Sequence, residues 1–497
     1  MRGFGMLMSL TVVWLYAIGA VTPPFMDGPA GAAWADDGGD GGDDGGGDGS
    51  DGADDGADDN DDGDDNSGRS RSGAGAGDGV GTGDIIRGLG RLFQGQPVQQ
   101  RRAQRSPQSA PQPVPRPTQA PDEIVTRGLT DAQTAALVAQ GYVVLERADL
   151  AGLNTTIRRL QVPPGIEVQE ARDAIRALPN GQTADFNHYY RTGQDSAVIS
   201  DAPDIPPDCD GLHCPALELV NWPRTPGPAG CGGPVILGMV DTGLNVDHEV
   251  LAGANVEVIR VAPDDYSPSA AIHGTAVAAI LVGGPETRVP GLLSGVPLIA
   301  VDAFHKQAGD ERADAFTLVQ ALDQLSVRGV QVINLSLAGP PNSLLEDTLS
   351  QLTRQRGIPI VAAAGNGGPR AQPAFPAAYD TVIAVTAVDR NGTAYRRAGR
   401  GPHVDLAAQG VDIWTAASVK GARWKTGTSF AAPYVTAAVA LWLQHDPTLS
   451  PEAIRARLTS TANDLGPDGS DEIYGHGLLD LGGVCPGQAV PWPAATE

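Results

Sequence analysis

Apolar and polar positions change rhythm twice along this chain. From residue 234 onward, short apolar runs alternate with longer stretches of helical period. The runs at 235–240, 298–301, 330–335, 358–363 and 381–385 are nearly unbroken, as expected of strands buried on both faces. The stretches at 273–282, 314–327, 343–356, 429–444 and 451–460 carry apolar residues at helical spacing or throughout. Strands alternating with helices predict an α/β fold, a mostly parallel sheet with helices on both faces. In such sheets a site forms beyond the carboxyl ends of the strands.

Residues 123–191 keep a different rhythm. A helix is expected at 129–140, with Thr130 as its cap before Asp131, and a second at 168–178. Strands are expected at 124–127, 142–146 and 156–162, with a last extended piece at 185–191. That order is a small α+β unit of split βαβ type.

Between and before these units the pattern vanishes. Residues 36–82 are Gly/Asp-rich and almost without apolar side chains, so they cannot bury enough surface to offset their ordering entropy. Fifteen aspartates between Asp36 and Asn66 supply more than half of the net charge of −25, and no basic face suggests nucleic acid as a partner. Residues 83–122 read as a Pro/Gln/Arg-rich linker with a short amphipathic patch at Ile85, Leu89, Leu92 and Phe93. Residues 1–35 read as a secretory signal: Arg2, an apolar run from Met6 to Val21, and Ala33-Trp34-Ala35 as a small-x-small cleavage site. Cleavage near Ala20, or retention of the segment as a membrane anchor, is the alternative; membrane contact is expected only in that case. The location is therefore secreted, periplasmic or cell-envelope. Residues 192–214 form a polar, Pro-rich linker, 215–485 the α/β domain and 486–497 a tail.

The four cysteines suit disulfides in an exported chain. They allow three pairings, of which Cys209–Cys214 with Cys231–Cys485 is favoured. A zinc site is the rival, but these spacings match no common finger.

Candidate chemistry sits at the ends of the predicted strands. Asp241 directly follows the first strand, in Asp241-Thr242-Gly243. His273 opens a helix in His273-Gly274-Thr275, where Gly274 leaves room for a partner to approach the ring. Asn366 follows the fourth strand, in Ala364-Gly365-Asn366. Ser429 stands before the apolar run 434–443, at a helix start where free N–H groups favour developing negative charge. Each has an ordinary reading too: a turn aspartate, a capping histidine, a turn asparagine, an N-cap serine. Together they supply a base, its orienter, an oxyanion donor and a nucleophile.

Residues 215–483 resemble the subtilisin-like serine proteases. Asp241-Thr242-Gly243, His273-Gly274-Thr275, Ala364-Gly365-Asn366 and Gly427-Thr428-Ser429-Phe430-Ala431-Ala432-Pro433 carry the resemblance, in the family's chain order. It implies a catalytic triad of Asp241, His273 and Ser429, with Asn366 in the oxyanion hole. It also implies that a peptide adds as a strand along Ser336-Leu337-Ala338-Gly339, with Ala363, Ala364 and Gly365 across the pocket. Residues 123–191 resemble the family's inhibitory prosegment, whose tail, Ala184 to Arg191, would lie in the cleft. The implied function is a secreted serine endopeptidase made as a zymogen, with protein or peptide substrates, its own prosegment as inhibitor and no cofactor.

Some positions depart from the family's pattern. Phe430 stands for a usual methionine, Ala338 for a glycine and Ile272 for a smaller residue. Tyr395-Arg396-Arg397 replaces a small, polar stretch. Val250 occupies a position where many relatives place a calcium-binding aspartate, and valine cannot ligate calcium, so no metal site is carried over. A catalytically silent fold used for binding, at the envelope or elsewhere, would need a lost triad member, and none is lost. A nucleotide-binding domain would need a glycine fingerprint after the first strand, which Asp241-Thr242-Gly243-Leu244-Asn245 does not supply.

Overall fold

Residues 116–193, 211–223 and 231–484 are described by a computed structural model. The signal, the acidic tract, the amphipathic patch and the C-terminal tail lie outside them.

The amino-terminal unit runs β1 (Gln119–Arg127), α1 (Asp131–Ala139), β2 (Val143–Leu150), β3 (Thr155–Gln161), α2 (Val168–Arg176) and β4 (Asp185–Tyr190). Its strands pair antiparallel in the order β2-β3-β1-β4. Thr130 caps α1, and the cap is reciprocal: its hydroxyl accepts from Gln133 N–H while the Gln133 side chain accepts from Thr130 N–H. The expected boundary at residue 123 is too late, since β1 starts at Gln119. Pro121 made this stretch read as linker. The register between β1 and β4 shifts between Gln119 and Ile124, and a residue with no N–H is tolerated at such an irregularity.

A short helix, α3 (Cys214–Leu219), follows, so the expected linker 192–214 ends in a buried helical residue. The second unit continues with β5 (Leu237–Asp241), β6 (Val256–Arg260), β7 (Ser267–Pro268), α4 (Ile272–Val282), β8 (Leu298–Asp302), β9 (His305–Gln307) and β10 (Asp310–Asp314). Next come α5 (Ala315–Val327), β11 (Val332–Leu335), α6 (Ser343–Arg356), β12 (Ile360–Ala363), β13 (Ile383–Val388) and β14 (Leu406–Gln409). The hairpin β15 (Ile413–Ala416) and β16 (Ala422–Lys425) precedes α7 (Thr428–His445) and α8 (Pro451–Thr461).

Strands β14-β13-β12-β11-β5-β8-β6 form one parallel sheet. Alternation along each strand feeds two cores. Leu237, Met239, Val332, Val361 and Ala363 point to the face covered by α4 and α7. Val240, Ile333, Leu335, Ile360 and Ala362 point to the face covered by α5 and α6. The fold is therefore the α/β architecture that the rhythm of the chain predicts.

The amino-terminal unit docks on the outside of α5 and α6. Val125, Leu150, Leu153, Ile157 and Tyr190 share a buried cluster with those helices. Leu153 N–H donates to Asp323 on α5 at 2.9 Å, and Ser343 N–H, at the start of α6, donates to Asp185 at 2.8 Å. Strand β4 also pairs antiparallel with β10, matching Tyr190 to Ala313 and Tyr189 to Asp314. The small sheet thereby continues into β10, β9 and β7 of the second unit.

The amino-terminal unit has its own small core around Ile124, Leu160 and Ile175, each fully buried. Removing three carbons from such a core costs about 2–5 kcal/mol, a large share of what so small a unit holds. Ile175→Ala should make residues 116–191 sensitive to limited proteolysis while the parallel sheet stays resistant, as peptide mapping of the digest will read.

Candidate active site

Three neighbouring parallel strands end side by side. Val240 and Ala362 both pair with Leu335, so Asp241, Ser336 and Ala363 follow at one edge of the sheet. Helix α7 starts beneath this edge. Ser429 is its second residue, so its N–H is one of the four that a helix leaves without an internal acceptor.

His273 Nδ1 lies 2.7 Å from Asp241 Oδ1, with both side chains buried. The same carboxylate oxygen accepts from Thr242 N–H at 2.7 Å. Among the described residues, His273 Nε2 and Asp241 Oδ2 make no hydrogen bond. The Ser429 hydroxyl donates to the Ser336 carbonyl at 3.3 Å rather than to the imidazole.

The elements that carry Asp241 and His273 are locked together. Gly274 N–H donates to Thr242 Oγ1 at 2.9 Å and Asn245 N–H to Thr275 Oγ1 at 2.9 Å. A Cβ on Gly274 would collide with the Thr242 carbonyl. The space that Gly274 leaves is therefore filled by the backbone of the aspartate loop, where the sequence suggested a partner approaching the ring. Asp302, at the end of β8, backs the same loop through Ser269, whose hydroxyl accepts from Gly243 N–H at 2.8 Å and donates to Asp302 at 3.0 Å. Burial pushes the Asp302 carboxyl above its usual value, against the pull of Arg260.

Asn366 is fixed just as closely. Its Oδ1 accepts from Thr428 N–H at 3.0 Å and from the Thr428 hydroxyl at 3.1 Å. Its Nδ2 is thereby turned into the cleft, where it can donate to a developing oxyanion. Thr428 Oγ1 also accepts from Gly365 N–H at 3.1 Å, fastening the Ala363–Gly365 turn to the start of α7.

A buried polar chain runs beneath Ser429. Pro433 has no N–H for the Ser429 carbonyl four residues earlier. The Ser336 hydroxyl donates to that carbonyl instead, at 2.9 Å. Ser336 Oγ in turn accepts from Asn334 Nδ2 at 3.0 Å, and Asn334 Oδ1 from Thr436 Oγ1 at 3.0 Å. Sequence reasoning passed over Asn334, Thr436, Thr428 and Ser269. The available signal was Asn334 itself, an amide inside an otherwise apolar run.

Leu337, Ala338, Ala363, Gly365, Asn366 and Ser429 line a cleft of about 510 Å³. The chain after β4 runs along it, with Arg191, Thr192 and Gly193 forming one of its walls. Arg191 and Ala338 exchange both backbone hydrogen bonds, each 2.9 Å, as an antiparallel pair. Gly339 bonds Phe375 in the same way and presses on the fully buried Tyr190 ring, whose hydroxyl donates to the Pro340 carbonyl at 3.0 Å. Two residues beyond Arg191, Gly193 lies so close to Asn366 Nδ2 that a Cβ there would overlap it.

Cys214 and Cys231 are disulfide-bonded; Cys209 and Cys485 lie outside the described residues. Among the described residues, no three His, Cys, Asp or Glu side chains cluster as metal ligands, and no helix is long and apolar enough to cross a membrane.

Residues 232–477 match the profile of the subtilase family. Subtilisin DY from Bacillus licheniformis is 33% identical over 257 residues, 50% of this chain and 90% of that protein. The chain belongs to the subtilase family. Subtilisin BL from Lederbergia lenta is 30% identical over 250 residues, again 50% of this chain and 90% of the relative. Fervidolysin from Fervidobacterium pennivorans, described as a keratinolytic enzyme related to subtilisin, shares the fold with a TM-score of 0.61. That match is 22% identical over 77% of this chain and 63% of the other. This subtilase is accordingly a serine endopeptidase.

One buried base stands beside the site. Lys425, at the end of β16, donates to the Ile272 carbonyl at 3.3 Å, next to His273. Burial, then the charge of Arg423, lowers its pKa to about 8 against the opposing pull of Asp241. A folded pKa below the unfolded one means that charging Lys425 destabilises the fold at neutral pH. That cost is relieved as pH rises from about 8 to about 10.4, the ordinary lysine value. Lys425→Met should therefore raise the Tm most at pH 7 and lose its advantage near pH 10.5, as scanning calorimetry across that range will measure.

Proposed function

We propose that Ser429 is the nucleophile of this subtilase, His273 its general base and then acid, and Asp241 the group that orients the imidazole. Asn366 Nδ2 and Ser429 N–H are the donors to the oxyanion. The single observation behind this reading is the chain after β4, hydrogen-bonded along Ala338 like a substrate, with Gly193 against Asn366. In this register Gly193 stands against Asn366, and its carbonyl is the one the oxyanion donors would receive. Ser429 Oγ would attack that carbon, its proton passing to His273 Nε2, and the imidazolium would be held by Asp241. Collapse of the tetrahedral intermediate would return the proton to the leaving amine of Gln194, and water would then release the acyl group.

The same observation supports a zymogen. Residues 116–193 are its inhibitory prosegment, held by the cores of α5 and α6, by β10 and by the cleft. The protein is exported, to the medium or the cell envelope, and Cys209–Cys214 and Cys231–Cys485 are its disulfides. The bonded state of Cys214 and Cys231 supports two bridges. Protein or peptide chains are its substrates.

Ser429→Ala should lower peptide hydrolysis about 10⁴-fold or more, to the rate that binding and oxyanion stabilisation alone supply. Wild-type protein should appear as a fragment whose amino terminus is Gln194, and the Ser429→Ala protein should keep residues 116–193 attached. Amino-terminal sequencing of both decides the self-processing reading. Identical termini would remove it and leave the hydrolysis assay to judge the nucleophile.

A further inference from the structure

The backbone of Arg191 uses Ala338, the edge along which any extended substrate would pair. Its side chain does something that this pairing does not require. The guanidinium lies flat on Asp310, with Nε 2.8 Å from Oδ1 and Nη2 2.6 Å from Oδ2. Asp310 is the first residue of β10 and 8% exposed. Arg312 shares Oδ2 at 3.1 Å, and Arg116 of the amino-terminal unit stands 4.0 Å from Oδ1. Burial by itself would raise the Asp310 carboxyl; Arg191 first, and then Arg312, outweigh it and hold the carboxyl below its usual value.

When residues 116–193 leave, Arg116 and Arg191 leave with them. Asp310 then keeps Arg312 alone, and Oδ1 loses its donor. Their departure opens Asp310 to the cleft as a carboxylate with one oxygen free to pair with an incoming cation. The next chain to pair with Ala338 brings one side chain to this spot, that of the third residue before the scissile bond. Arg312 keeps its place through groups that stay behind, donating to Asp310 Oδ2 and to Gln307 Oε1, and leaves Oδ1 to the incoming side chain.

We propose that Asp310 makes this protease selective for peptides with arginine three residues before the bond that is cut. The proposal rests on the register assigned above to Ser429 and Gly193. It deepens that reading by naming the substrate class: extended chains with a basic third residue. Arginine is favoured over lysine because a planar fork meets both oxygens and an ammonium meets one at a time. Glutamate at this place would put two carboxylates together and should be rejected.

The test uses processed wild-type protein and four fluorogenic peptides, acetyl-Tyr-Xaa-Thr-Gly-aminocoumarin, with Xaa as Arg, Lys, Ala or Glu. Hydrogen bonds to charged groups of this quality predict kcat/KM about 10- to 100-fold higher for Arg than for Ala, with Lys between and Glu lowest. In Asp310→Asn the ratio of Arg to Ala should collapse towards one. Equal rates for Arg, Ala and Glu in wild type would overturn the proposal without any variant. An unchanged ratio in Asp310→Asn would overturn the role of Asp310. Calorimetric binding of acetyl-Tyr-Arg-Thr-Gly and acetyl-Tyr-Ala-Thr-Gly reads the same ratio with no turnover. If no peptide is cut, the assignment of the catalytic residues fails, and selectivity still stands or falls on the two binding constants.

Discussion

The parallel pairing of β5, β11 and β12 is the constraint on which the site depends. Because Val240 and Ala362 both lie beside Leu335, residues far apart in sequence are delivered to one edge. Nothing local brings Asp241 to Ser336 or Ala363; the hydrogen-bond ladder does. Helix α7 then crosses beneath that edge, all of its length from Thr428 to Leu441 buried, and sets the height of Ser429. The close contact of Gly274 with the Thr242 carbonyl sets the distance from imidazole to carboxylate. A shift in any one of these three packings would move a reacting group without touching it.

Much of this was legible along the chain, for identifiable reasons. Helix α6 matches its expected span of 343–356, because its ends are marked by side-chain chemistry. The Asn342 side chain accepts from Leu344 and Leu345 N–H, and Gly357 takes the left-handed conformation, with φ of 70°. The core strands are apolar on both faces and could be read from composition alone. Asp241, His273, Asn366 and Ser429 come together within that frame. What escaped is equally specific. Strand β10, Asp310-Glu311-Arg312-Ala313-Asp314, has no apolar alternation, so nothing in its sequence suggests a strand. Its buried charges are satisfied by each other and by Arg191, 119 residues earlier. Strand β1 was shortened because Pro121 reads as linker until a break in register is available to hold it. Burial of charge and tolerance of proline are properties of partners, and partners are not visible in a local window.

The two folded units divide the electrostatic work between them. The amino-terminal unit brings arginines to acidic groups of the sheet domain: Arg191 and Arg116 to Asp310, and Arg127 to Asp347. It also brings acceptors to open helix starts, Asp185 to α6 and Asn187 to Phe316 N–H of α5. Each helix has a cap of its own as well, Asn342 for α6 and Asp314 for α5. The sheet domain is therefore not reliant on its partner for these ends, and each docked acceptor adds a second partner to a helix start that is already capped.

The carbonyl of Ser429 has one need and two possible suppliers. A residue with an N–H at 433 would bond it within the helix, and a hydroxyl at 336 bonds it from the neighbouring strand. This chain uses the second and has closed off the first with Pro433. Positions 336 and 433 are thus bound into one history. Loss of Ser336 alone strands a buried carbonyl, and a return from proline alone leaves two donors competing for it. A hydroxyl beneath the nucleophile and a proline one turn on therefore act as a single unit, and a change at either is felt at the other.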